Sequence, residues 1–223
     1  MRILTRIASF AFATALLITL SACDDDTNPA APEEPVELDT QTVEDLPADP
    51  TVTVGENGRP QGLNQYTFFS LRDNEIVLES GAEARADSNS TAWDIALQGT
   101  TIRINGGASG PGNGAAYVAE SAFDDVTEVD TDRLQADTDE AMAIPTGSGN
   151  GWYNYNTNGE SYVRPIPGRT LVVRTADGEG YAKIRIQSYY EGAPDLPADR
   201  EAHPSRYYTF DYVVRTDGTP LFE

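Results

Sequence analysis

One cysteine, one histidine and one lysine are all that this chain of 223 residues carries of those three types. Each scarcity removes a class of chemistry. Cys23 alone can close no disulfide within the chain and cannot supply the thiolates of a structural zinc site. His203 alone rules out any two-imidazole metal clamp. It lies in the Pro-containing loop from Gly192 to Pro204, where a solvated histidine is expected. Neither Ser109 nor Ser148 sits in the Gly-x-Ser-x-Gly setting of an activated serine. Lys183 stands against fourteen arginines, and the basic residues are outnumbered 15 to 36 by acids. Nucleic acid is therefore not an expected partner, because phosphate binding needs a basic face. Direct attraction to anionic lipid is excluded on the same ground. High acid with scarce lysine is the composition of salt-adapted proteins, in which net charge keeps chains soluble under strong screening.

Long apolar runs are also missing, with one exception. Arg2 and Arg6 precede the apolar stretch Ile7 to Leu20, which is too short to cross a bilayer and has the layout of a secretory leader. It ends in Leu20-Ser21-Ala22-Cys23, which resembles the bacterial lipobox. That resemblance implies a signal peptide over residues 1–22, cleavage before Cys23 and acylation of Cys23 as a lipid anchor. Each buried methylene adds about 0.8 kcal/mol of membrane affinity, so several chains make a stable anchor where one would not.

From Cys23 to Pro50 there are ten acidic residues, no basic ones and five prolines. Such a composition buries too little apolar surface to offset its ordering entropy, so residues 23–50 are expected to form a disordered acidic tether. A single folded domain is then expected over residues 51–223, a length sufficient for one hydrophobic core.

Within that domain, sustained 3.6-residue periodicity is lacking, and short β-rich runs alternate with Gly, Pro, Asn and Asp. The expected fold is all-β and mainly antiparallel. Strands are expected at 66–69, 75–78, 92–97, 101–104, 115–118, 152–155 and 170–174, followed by the clearest pair, 181–190 and 207–214. Ala182, Ile184, Ile186 and Tyr190 alternate with Lys183, Arg185 and Gln187, the pattern of a strand with one solvated face. Asp177-Gly178 marks a hairpin turn between Leu171–Arg174 and Tyr181. The one expected helix is short, from Arg133 towards Met142.

No catalytic residue emerges from this pattern. The glycine-rich stretch from Asn105 to Gly114 is followed by neither Lys-Ser/Thr nor a helix, so it reads as a conformationally demanding loop. Asp130-Thr131-Asp132 and Asp137-Thr138-Asp139-Glu140 lack the glycine and closing glutamate of a calcium loop and are expected to be solvated. Binding is the better class, and the protein is not expected to be an enzyme.

Five motifs occur in order: Trp93-Asp94-Ile95-Ala96-Leu97; Ile102-Arg103-Ile104-Asn105-Gly106-Gly107 with Ser109, Gly110 and Gly112; Gly151-Trp152-Tyr153; Val172 to Gly178 with Ala182-Lys183-Ile184; and Tyr208-Thr209-Phe210-Asp211-Tyr212. Together they resemble the HmuY family of haem-binding lipoproteins. The resemblance implies an all-β domain tethered to the outer membrane, commonly at the cell surface, that captures haem for iron acquisition and passes it to a membrane receptor. It implies that Trp93 packs in the core and that Asp94 ties down a loop. In the family's best-known form two histidines hold the iron, one in the loop before the second tryptophan and one five positions after it. Here the later position is Thr157, and the preceding loop offers only Met142, whose thioether is a possible haem ligand. Tyr153, Tyr155 and Tyr162 flank the implied pocket and are candidates for stacking on a porphyrin or for oxygen ligation. No metal beyond haem iron is implied. The alternative is a surface interaction or scaffold lipoprotein that kept the fold and lost haem ligation.

Overall fold

The computed structural model describes residues 38–56, 60–82, 86–155, 161–195 and 201–223. Cys23, the leader and Thr157 lie outside the described residues. The strands are β1 (Gln41–Pro47), β2 (Thr53–Val54), β3 (Pro60–Gln61), β4 (Thr67–Ser70), β5 (Glu75–Leu78), β6 (Ile95–Gln98), β7 (Thr101–Ile104), β8 (Ala115–Ala119), β9 (Tyr153–Tyr155), β10 (Val163–Pro165), β11 (Thr170–Arg174), β12 (Tyr181–Tyr190) and β13 (Ser205–Arg215). Five of them form one sheet in the order β1-β13-β12-β11-β8, and four form another in the order β5-β4-β6-β7; β9 with β10 and β2 with β3 make two small ribbons. Among the described residues every pairing between these strands is antiparallel. Among the described residues no helix is long and apolar enough to cross a membrane.

The two larger sheets share one core. Phe69, Ile95, Leu97, Ile102 and Ile104 from the four-stranded sheet pack with Leu171, Val173, Ala182, Ile184, Tyr208, Phe210 and Tyr212 from the five-stranded one. Alternation along each strand presents these side chains on one face, as sheet-on-sheet packing requires. The outer faces are covered as well. Tyr117, Val172 and Val213 pack beneath Phe123, Val126, Val129 and Phe222, and on the other side Phe68 and Ala96 pack beneath Trp93.

Asp94 is the main polar fastener. Fully buried, it accepts hydrogen bonds from the backbone N–H groups of Leu71 and Ala176, both at 2.8 Å, and pairs with Arg72 at 3.1 Å. It thus ties the turn after β4 to the β11–β12 hairpin. The glycine-rich loop is demanding in the way its composition suggests: Gly107 has φ +60, and a Cβ there would run into the backbone of Asp137.

Four expectations fail, each for a local reason. Residues 41–47 of the expected tether form an edge strand, because β13 is eleven residues long and its outer edge needs a partner. Two of the acids there accept hydrogen bonds rather than standing in solvent. Asp45 Oδ1 takes the Gly192 N–H at 2.8 Å, and buried Asp49 takes the N–H groups of Leu63 and Asn64 and pairs with Arg206. The helix after Asp132 is replaced by a 3-10 turn at Thr131–Arg133, since Gln135 exchanges backbone hydrogen bonds with Ala116 of β8. Asp137 is buried, not solvated; it accepts from the N–H groups of Ile104 and Ala143. Lys183 points to the face opposite Ala182 and Ile184, as its alternation requires, but that face is capped. Its ammonium donates to the carbonyls of Phe123 (3.0 Å) and Val126 (2.9 Å) and lies over the Phe123 and Phe222 rings. Burial lowers its pKa, with Asp124 opposing.

Candidate functional site

Near its C-terminal end β12 breaks its own alternation. Ser188, Tyr189 and Tyr190 are all buried, and the register against β13 shifts between Ile186 and Ser188 and again between Ser188 and Tyr190. The Ser188 hydroxyl explains the disruption. It accepts from the Tyr190 N–H at 3.0 Å and donates to the Tyr190 carbonyl at 3.1 Å, in competition with the ladder. Bulges of this kind re-aim side chains. Here the result is that Tyr189 and Tyr190 both face a cavity of about 380 Å³, also lined by Thr51, Val54, Tyr155, Ser161, Val163, Pro204 and Ser205. Its size lies in the range of small-molecule sites, and its walls are largely apolar or aromatic.

Behind the cavity stands a wall of rings. Tyr189 packs edge-on to Tyr190 and Tyr208, and Trp152 lies against Tyr153, Tyr189 and Tyr208 with centroids 4.9–6.0 Å apart. The polar tips of this wall are anchored at the β6–β7 turn: Trp152 Nε1 donates to the Thr100 carbonyl at 3.0 Å and Tyr208 Oη to the Gly99 carbonyl at 2.9 Å. Burial pushes the Tyr189 phenol far up, with nearby Arg206 opposing the shift. Arg206 also holds Asp49 through its guanidinium, so one side chain links the Tyr189 neighbourhood to the chain leading to Thr51 and Val54.

The three tyrosines singled out from the sequence separate. Tyr155 lines the cavity and is half exposed. Tyr153, its neighbour but one, is buried in the core, where its hydroxyl accepts from Thr100 Oγ1 at 3.2 Å, and it does not line the cavity. Tyr162 is half buried and packs edge-on to Tyr190, behind the lining residues Ser161 and Val163. Met142 is half buried between Asp137 and Ile144 and is not among the lining residues. His203 Nδ1 lies 2.8 Å from the Glu191 carbonyl; a carbonyl only accepts, so Nδ1 donates.

Sequence reading missed Tyr189, Tyr190, Val54 and Pro204. The doublet Tyr189-Tyr190 carried a signal, because two successive aromatics cannot share one face of a regular strand. Val54 and Pro204 carried none, since the walls they form exist only after the ribbon and the β12–β13 connection come together.

A second, larger groove of about 680 Å³ runs along the β8 edge and is lined by Glu120, Asp132, Arg133, Gln135, Asn150 and Arg169 among others. Its lining mixes these with apolar residues such as Val118, Ala143 and Pro145 and contains no histidine or methionine. Among the described residues no three His, Cys, Asp or Glu side chains converge as a metal centre.

Phenol oxygen is a known donor to haem iron, so a tyrosine-rich apolar cavity fits the cofactor in chemistry, although not through the histidine pair. The family model described as HmuY protein matches residues 63–212. The crystal structure of an apo HmuY analog from Tannerella forsythia is similar at 17% sequence identity with a TM-score of 0.41, covering 80% of this chain and 95% of that one. No curated protein matches.

Proposed function

The chain belongs to the HmuY family, and from that premise we propose that it is a haem-binding lipoprotein whose site is the cavity between β9–β10 and the bulged end of β12. The observation that carries the reading is the cavity itself, where Tyr155, Tyr189, Tyr190, Val54, Val163 and Pro204 make a largely apolar and aromatic lining. In this reading Tyr189 and Tyr190 supply ring surface, and Arg206 orients Tyr189 and the Asp49 segment from behind. Haem would supply the iron that is acquired; no step of catalysis is involved, and the protein acts by capture and release. Cys23 is the lipid anchor, the outer membrane facing the cell exterior is the location, and a membrane receptor is the acceptor.

Titration of haemin into the protein, followed at the Soret band, tests the reading. A saturable shift is expected, and its loss on Tyr190→Ala with the fold retained would tie it to this cavity. Absence of any saturable shift, oxidised or reduced, would overturn the proposal.

A second reading has its own support. The chain has one histidine, and Met142 does not line the cavity, so the ligand types of the best-known relatives are missing from it. A surface interaction protein that kept the fold and lost the cofactor would show this pattern, and a haemin-silent protein that crosslinks to an outer-membrane partner would establish it.

A further inference from the structure

We infer that Tyr155 supplies its phenolate oxygen as an axial ligand to ferric haem iron, making uptake selective for oxidised haem. The inference rests on the haem reading above and adds the ligand and the oxidation state to it.

Tyr155 ends β9, opposite Val163 of β10, and its backbone N–H is pinned by Ser148 Oγ at 2.8 Å. The side chain is not pinned. Among the described residues its hydroxyl makes no hydrogen bond and its ring no aromatic contact, it is 50% exposed, and it lines the cavity. The other candidate donors are committed or do not line the cavity, Tyr162 with its ring against Tyr190 among them. Tyr190 Oη accepts the Val163 N–H at 3.0 Å. Tyr189 is buried and held by Arg206. Tyr153 is buried with its oxygen on Thr100, and neither Met142 nor His203 is a lining residue. An unpartnered phenol on the wall of an apolar cavity, backed by a fixed main chain, is the arrangement a ligand requires: the backbone is ordered beforehand and no hydrogen bond of the hydroxyl within the protein is given up.

On binding, the phenol O–H bond breaks, its proton passes to solvent, and the freed oxygen lone pair bonds to Fe(III). A hard anionic oxygen favours Fe(III) over Fe(II). One electron from an added reductant such as dithionite therefore weakens that bond, and the phenolate regains a proton from solvent.

The test is haemin titration of the full-length protein in detergent, read by visible absorption and by resonance Raman excited in the phenolate-to-iron charge-transfer band, with Tyr155→Phe, His203→Ala and Met142→Ala alongside. Phenolate modes are expected in the wild type and in the His203 and Met142 variants. Tyr155→Phe, checked for an unchanged melting temperature, should lack them and bind haemin at least tenfold more weakly, and dithionite should release haem from the wild type. A Tyr155→Phe spectrum identical to wild type overturns the ligand assignment while leaving haem binding standing. A spectrum that collapses only on His203→Ala or Met142→Ala overturns it in the same way. A wild type that binds no haemin overturns both this inference and the reading beneath it.

Discussion

Asp94 shows how much one side chain can carry when its charge is buried. Its carboxylate serves three backbone N–H groups and one guanidinium from two distant turns. Asp94→Ala would leave those donors unsatisfied and strand Arg72, and a loss of about 3–5 kcal/mol is expected from breaking such a pair. Urea denaturation measures it; Asp94→Asn, which keeps an acceptor, should cost less. Asp211 makes a different prediction. Burial raises its pKa, but hydrogen bonds from Arg185, Thr42 and Gln187 outweigh burial and hold the carboxyl below the usual range. A group whose folded pKa is depressed stabilises fully above its unfolded value, near 3.9, and that contribution is lost as pH falls through the folded value. Urea midpoints at pH 6 and pH 3 should therefore converge in Asp211→Asn relative to wild type; an unchanged gap would show that Asp211 does not govern the acid side.

At the scale of elements, β1 has the largest consequence. Leu46 is 2% exposed and Ala48 fully buried, both in a stretch whose composition reads as tether. Leu46→Ala should cost about 2–5 kcal/mol, the usual range for truncation in a packed core. A chain beginning at Thr51 should melt lower than one beginning at Pro35 and should self-associate through the bared edge of β13, which size-exclusion chromatography would detect. The same strand shows what was legible in the sequence and what was not. The strands at 75–78, 101–104 and 170–174 lie at the expected positions to the residue, because each is a short β-rich run bounded by turn residues such as Asn74, Gly99 and Gly168, a signal that is local in the sequence. β1 was hidden because its partner lies about 170 residues later and its few apolar residues are spaced among acids. The helix expected after Asp132 failed for the converse reason: its local propensity lost to pairing with the β8 edge. For the site, Tyr155 was readable as a residue type near a motif, whereas the choice among Tyr153, Tyr155 and Tyr162 needed the register of β9 against β10.

Over the whole molecule, the tyrosines govern the alkaline limit. Burial pushes Tyr212 up to about 12 and drives Tyr208 well above its ordinary value of 10.0. A raised phenol stabilises fully below the unfolded value near 10, and the contribution disappears as pH climbs through the folded value. Spectrophotometric titration should therefore show some of the eleven tyrosines ionising only together with loss of the circular dichroism signal. Ionisation of all of them near pH 10 with the signal intact would contradict the packing described here. The position of β1 has one more consequence, and it is mechanical. A pull applied through the N-terminus first meets Leu38, packed against the cluster of Tyr117, Val172 and Val213, and then the β1–β13 ladder from Gln41 onward. Leu46 and the Asp49–Arg206 clasp stand at the far end of that ladder, and the cavity wall at Thr51 and Val54 lies beyond them. β1 thus stands, along the chain, between a load on the N-terminus and the cavity wall.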